Sequence, residues 1–212
     1  MPSDYYKTIA EITNGNYKEK GSSFLSMIVR LKSEAEVKSH IQNIRKEHPK
    51  ARHICYAYRF GLQKEYSKYN DDGEPGGTAG KPILGQLIKF DLENTLIAVT
   101  RYFGGTLLGT SGLAIAYKTA AENAILKSQL IEVRRNSFFQ VTYPYTSEKF
   151  IENYIRNNDG AIIKKEFSEW ISCHIAFPLS QKNEIPILLE KEIRELQLKD
   201  EITITHISND AC

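Results

Sequence analysis

A chain of 212 residues with 41% hydrophobic content is long enough to bury a real core, as one large domain or two small ones, which argues against disorder over the whole length. Its 28 Lys and Arg stand against 26 Asp and Glu, a balance too close to neutral for bulk nucleic-acid affinity, so any basic surface must be local. The three cysteines, Cys55, Cys173 and Cys212, are widely spaced, odd in number and form no CxxC pair, which argues against a disulfide framework and a thiolate zinc site and fits a reducing cytoplasm.

Met1 to Thr13 lacks a basic segment followed by an apolar run, and nowhere do eighteen apolar residues occur together, so neither secretion nor a membrane span is expected. Tyr6 to Ile12 and Ser23 to Leu31 read as two short strands forming a hairpin, with the turn placed at Asn14-Gly15, a pair that favours positive φ. Ser33 with Glu36 three residues later has the form of a capping box, and Val37, Ile41 and Ile44 recur at helical spacing. An amphipathic helix over 34–47, ended near Pro49, is expected. Ala51 to Phe60 alternates Ile54, Tyr56, Tyr58 and Phe60 with other residues, the period of a half-buried strand, and puts His53 and Cys55 on its opposite face.

The next twenty residues, through Gly80, carry five of the thirteen glycines together with Pro75 and read as one long loop. Thr95 to Thr100 reads as a buried strand, Arg101 to Gly109 as a second glycine-rich loop, and Thr110 to Lys127 as a helix whose small residues allow close packing. From Val133 the pattern restarts as strand (133–143), helix (147–157), strand (161–167), strand (169–178), helix (184–196) and strand (201–207), the order of a ferredoxin-like split βαβ unit. The fold class expected is therefore α+β, with a first domain over 1–132 and a second over 133–212. There is no internal repeat and no low-complexity tract.

Asp71-Asp72-Gly73-Glu74-Pro75-Gly76-Gly77-Thr78-Ala79-Gly80-Lys81 places three carboxylates and four glycines in eleven residues ahead of a helix expected near Lys81. Such residues cluster in any exposed turn. Chemically, backbone N–H groups freed of bulk by Gly76, Gly77 and Gly80 can form an anion-binding concavity, with Lys81 as a point charge. Asp71, Asp72 and Glu74 could instead hold a hard cation, but the spacing matches no EF-hand loop, and neither a metal site nor a cofactor is assigned.

Arg101-Tyr102-Phe103-Gly104-Gly105-Thr106-Leu107-Leu108-Gly109-Thr110-Ser111-Gly112 sits between a strand and a helix, where phosphate loops sit, yet contains neither GxxxxGK[ST] nor GxGxxG. Thr110 or Ser111 is read as an N-cap or as a phosphate contact. Arg101, Tyr102 and Phe103 offer a guanidinium fork and two π faces, suited either to single-stranded nucleic acid or to a core. His53 and Cys55 could form a thiolate–imidazole pair, but no orienting third group can be picked, and structural burial is the safer reading.

These segments carry a resemblance. HICYAYRFG (His53 to Gly61), DDGEPGGTAGKPIL (Asp71 to Leu84) and VTRYFGGTLLGTSGLAIAY (Val99 to Tyr117) closely resemble, in order, the corresponding segments of the bacterial YigZ family, whose first domain is shared with the eukaryotic IMPACT proteins. The resemblance implies a first domain of left-handed βαβ type, like the second domain of a small-subunit ribosomal protein, and a second domain like the last domain of elongation factor G. Both relatives work on the ribosome, so it implies a role in translation or RNA binding, by analogy of fold. It points at His53, Cys55, Asp72, Gly73, Glu74, Gly77, Thr78, Gly80, Arg101, Tyr102, Gly104, Gly105, Gly109 and Gly112. This chain departs in having Arg52 and Ile54 beside the histidine and Ile115 where relatives carry an arginine. The extra N-terminal module of eukaryotic relatives is not expected, and kinase regulation is not carried over.

Three function classes follow. The leading one is a non-enzymatic protein contacting RNA or the ribosome through the two glycine-rich loops, Arg101, Lys81 and the Arg134-Arg135 pair. The second is an enzyme or small-molecule binder holding a nucleotide or phosphorylated metabolite at Gly104 to Gly112, as GHMP-type kinases of the same fold class do, with Asp72 or Glu74 as base or metal ligand and Lys81 as clamp. The third is a protein–protein surface anchored by Tyr102 and Phe103.

Overall fold

The computed structural model describes residues 4–62, 64–195 and 202–209. The chain divides into two compact units, one from Tyr6 to Val133, the other from Arg134 onward together with the chain start up to Tyr5. Asp4 and Tyr5 join the second unit through Asp4, whose carboxylate accepts the Ser180 N–H and hydroxyl (2.7 and 2.6 Å), and through the Arg135 guanidinium, which donates to the Tyr5 carbonyl (3.1 Å).

In the first unit, strand β1 (Tyr5–Ile9) is followed by β2 (Thr13–Glu19), β3 (Ser22–Arg30), helix α1 (Ala35–Glu47), β4 (His53–Leu62), β5 (Lys64–Asn70), α2 (Gly80–Lys89), β6 (Thr95–Tyr102), α3 (Gly109–Lys127) and β7 (Leu130–Arg134). Five strands form one antiparallel sheet in the order β2-β3-β6-β4-β5, and β1 pairs with β7. Because β6 lies between β3 and β4, the unit β3–α1–β4 is a split βαβ.

Both faces of this sheet are covered. Leu96 and Ala98 of β6 pack with Val37 and Ile44 of α1, while Ile97 and Val99 pack with Ile83 and Leu87 of α2 and Ala116, Tyr117 and Ala120 of α3. That explains the unbroken apolar run of β6, the mark of a strand buried on both sides. It also explains β4, which turns Ile54, Tyr56, Tyr58 and Phe60 toward α1 and the smaller Cys55 and Ala57 toward α2 and α3. Each fully buried Leu or Ile contributes about 1.5–3 kcal/mol.

Several local expectations are corrected. The expected hairpin of Tyr6–Ile12 with Ser23–Leu31 does not form: β1 pairs with β7, and the hairpin partner of β3 is β2, which runs through the expected turn, so the turn is Lys20-Gly21, both at positive φ (44° and 80°), not Asn14-Gly15. Gly15 lies inside β2 because α3 passes so close that a Cβ there would stand 2.5 Å from the Ala124 nitrogen. The loop expected to run through Gly80 contains β5, a polar edge strand paired with β4. Arg101 and Tyr102 belong to β6 rather than to the loop after it. No side chain caps α1 or α3: Glu36 reaches back to the Lys32 N–H (2.9 Å), and Thr110 and Ser111 are helical residues of the first α3 turn.

The second unit runs β8 (Asn136–Tyr143), α4 (Glu148–Asn157), β9 (Ala161–Phe167), β10 (Ile171–Pro178), α5 (Glu184–Glu195) and β11 (Thr203–Asn209). Its antiparallel sheet has the order β11-β8-β10-β9, the ferredoxin-like arrangement. Phe139, Val141, Cys173, Ile175 and Phe177 pack on Ile151 and Ile155 of α4 and Leu189 and Ile193 of α5. Residue 196, the expected end of the last helix, residue 201, the expected start of the last strand, and Cys212 lie outside the described residues.

Candidate functional site

The register places the two glycine-rich segments together. His53, at the start of β4, pairs with Arg101 near the end of β6, and Ser23, at the start of β3, pairs with Tyr102. At this end of the sheet α1 finishes and α2 and α3 begin. Both segments are therefore loops at one end of the first unit, where binding groups are commonly carried on a rigid scaffold.

The first loop, between β5 and α2, turns its carboxylates inward. The Asp71 carboxylate accepts the N–H groups of Gly77 (2.9 Å), Ala79 (3.0 Å) and Gly80 (2.8 Å). The anion-binding concavity read from Gly76, Gly77 and Gly80 is thus filled by an anion of the chain itself. Burial works to raise the Asp71 pKa, but the three N–H donors outweigh it and hold the carboxyl below its ordinary value. Asp72 accepts the Ile54 N–H and pairs with Arg45, both at 2.7 Å, while its carbonyl receives His53 Nδ1 at 2.8 Å. Thr78 donates its hydroxyl to the Pro75 carbonyl (2.6 Å).

Glu74 reaches deepest. Its side chain is 4% exposed and pairs at 2.6 Å with Arg101, itself 7% exposed, while Tyr117 of α3 donates its hydroxyl to the same oxygen at 2.8 Å. The guanidinium stands 5.6 Å from the Phe24 ring centre and 5.7 Å from that of Phe103, and Arg101 Nε finds no protein partner among the described residues. The fork expected to grip phosphate instead ties the first loop to the end of β6 and to α3. Burial raises the Tyr117 hydroxyl well above its ordinary pKa, so it stays a neutral donor.

The second loop, between β6 and α3, is open. Gly104 packs backbone to backbone on the β2–β3 turn, where a Cβ would meet the Gly21 carbonyl carbon at 1.9 Å, and the Gly104 N–H donates to the Ser22 hydroxyl (3.1 Å). Gly105 and Thr106 are exposed, as are Phe103 and Leu107, while Gly109 and Gly112 lie in the first turn of α3. Tyr102 hydrogen-bonds His48 Nδ1 at 2.9 Å.

Cys55 and His53 share a sheet face, but each is bound to the first loop: the thiol donates to the Asp71 carbonyl at 3.0 Å. Burial pushes the Cys55 pKa upward, and nearby Glu74, Asp72 and Asp71 push the same way, so the sulfur is held as a thiol rather than a poised nucleophile. Arg134 and Arg135 are engaged within the second unit. Arg134 pairs with Asp159 at 2.7 Å, and Arg135 is buried and binds the Tyr5 carbonyl.

Most of the charge that remains facing water is cationic, with Glu47 exposed beside it. Lys46, Lys50, Arg52 and Lys81 are exposed around this end and make no ion pair among the described residues. Sequence reasoning singled out Lys81 and Arg52 but missed Lys46 and Lys50, which read only as the polar close of a helix. It also missed Tyr117, for which a lone phenol in a helix of small residues was the available signal.

A two-unit α+β protein, with two glycine-rich loops at one sheet end, the first tied to β6 by a buried Arg–Glu pair, and a ferredoxin-like unit following, is a defined class. The Impact N-terminal domain family matches residues 20–125. The chain is 35% identical over 164 residues to "IMPACT family member YvyE" of Bacillus subtilis, covering 77% of this chain and 76% of that protein. It is 34% identical over 166 residues to "IMPACT family member YigZ" of Escherichia coli, covering 76% and 80%. A solved structure described as a hypothetical protein superimposes with a TM-score of 0.70 at 27% identity, over 98% of this chain and 99% of that one. The chain belongs to the IMPACT family.

Proposed function

We propose that this protein is a non-enzymatic RNA- or ribosome-binding protein that modulates translation, using the end of the first unit where the glycine-rich loops meet. The observation that carries this reading is the placement of charge. Asp71, Asp72 and Glu74 are engaged by partners within the unit, while Lys46, Lys50, Arg52 and Lys81, with the exposed carboxylate of Glu47 beside them, face water at the end of the unit that carries the Gly104–Gly109 loop. A phosphate backbone is the polyanion such a rim suits, with Phe103 available to stack a base. The resemblance to ribosome-acting folds supports the same class of partner. In this reading Arg101 fixes the loops, and the exposed cations and the backbone of Gly104, Gly105 and Gly109 meet the ligand.

Fluorescence anisotropy with a short single-stranded RNA and a structured ribosomal RNA fragment tests the reading. Affinity that falls linearly with the logarithm of salt concentration is expected; no binding to either RNA at low salt would overturn it. The exposure of Phe103 and Leu107 also suits a protein partner, which would be captured equally well after nuclease treatment.

A further inference from the structure

We propose that the second unit self-associates through its β9 edge, two copies pairing antiparallel about Lys165 to form one continuous eight-stranded sheet. In the ferredoxin-like sheet β9 pairs with β10 on one side and ends the sheet on the other. Exposed edge strands are ordinarily blunted by outward lysines. On β9 the outward lysine is Lys164, 60% exposed, while Lys165 does not stand over the edge. Its side chain, 16% exposed, turns back onto α4, with Nζ 2.7 Å from Glu148 and 2.5 Å from Glu152. Burial works against this ammonium, but the two carboxylates prevail and raise its pKa.

The remaining residues are self-complementary in one register. With Lys165 opposite Lys165 of the partner subunit, Ile163 lies opposite Phe167 of the partner subunit, and Lys164 opposite Glu166 of the partner subunit. Residues opposite one another in an antiparallel pair share a sheet face, so both matches fall on the correct side. Ile163 and Phe167 are 60% and 63% exposed, unusual for apolar residues on an unpaired edge. Lys164 and Glu166 are 60% and 58% exposed and already bond within the strand at 2.5 Å, so pairing exchanges an internal partner for an equivalent one across the axis. A bulge between His174 and Ile175 leaves Ile163 without a partner on β10. The two-fold axis repeats each contact, giving two apolar and two ionic pairs, and the assembly is closed at the dimer. Moving the two-fold axis by one residue, a slide of two, would set either Lys164 or Glu166 against its own copy.

Sedimentation of the full chain over a wide concentration range tests this. A monomer–dimer equilibrium is expected, with a dissociation constant in the micromolar range for so small an interface. K164E and E166K each turn both ionic pairs into like-charge pairs and weaken the dimer by about tenfold or more. The double variant K164E/E166K restores opposite charges and returns the constant to within about threefold of wild type. At concentrations low enough for every protein to be monomeric, these exposed substitutions leave the unfolding midpoint unchanged. A wild type that sediments as a monomer throughout, a dimer indifferent to either single reversal, or a double variant as weak as the singles overturns the proposal.

Discussion

Replacing Arg101 with methionine removes the ion-pair partner of Glu74, whose side chain is 4% exposed and keeps, among the described residues, the Tyr117 hydroxyl. At the observed 2.6 Å, with an effective dielectric of about 20, the attraction within the pair is about 6 kcal/mol. Desolvating the two ions costs several kcal/mol each, so the intact pair contributes little net stability. Removing one partner keeps the other's desolvation cost without the attraction, and R101M is expected to destabilise by about 3–5 kcal/mol. E74Q, which strands the guanidinium, is expected to cost about 3 kcal/mol, and R101M/E74Q at least about 2 kcal/mol less than the sum of the singles. Urea unfolding of the four proteins at neutral pH, followed by far-UV circular dichroism, closes the cycle. Singles within about 0.5 kcal/mol of wild type, or strictly additive effects, would refute the assignment of this pair as the tie between the first loop and the end of β6.

Asp71→Asn removes the charge that three N–H groups converge on, and about 2 kcal/mol of stability should be lost at pH 7. Because the folded pKa of Asp71 lies below its ordinary value of 3.8, its contribution is present above that value and lost as pH falls through the folded one. Acid titration of the unfolding free energy should therefore be shallower for the variant below about pH 4. Gly104→Ala drives a methyl into the Gly21 backbone, and a loss of about 2 kcal/mol is expected, with faster amide exchange around Ser22 and Phe103–Leu108. Unchanged exchange there would show that the loop does not depend on this contact. Tyr117→Phe removes one donor to a buried carboxylate and should cost about 1.5–3 kcal/mol in the same urea assay.

Where packing follows local pattern, the sequence was legible. The alternation of β8, the heptad-like apolar spacing of α4 and the tight turn before β10 lead directly to the ferredoxin-like order. The continuous apolar run of β6 reads as a strand because both of its faces are covered. β5 escaped because an edge strand with exposed Lys68 and Tyr69 carries no burial signal, and its neighbour Gly61 looks like a turn. Asn14-Gly15 misled because glycine answers equally to positive φ and to a close neighbour, and here the neighbour, α3, lies more than a hundred residues away in sequence. The same distance explains the site. Composition identifies the two loops, but whether Asp71 and Glu74 face inward or outward depends on N–H groups and an arginine supplied by other elements, and no local pattern records that. Arg101 was found for its chemistry and placed by the fold in a different role.

Phosphate contact by the exposed cations is tested most directly by removing three of the four together. Anisotropy of single-stranded RNA binding at several salt concentrations, for wild type and for the variant K50A/R52A/K81A, compares the two salt slopes. Loss of three phosphate contacts should flatten the slope by about 2 and weaken binding at low salt while the unfolding midpoint stays put. A slope identical to wild type would contradict the claim that this end of the first unit holds the RNA.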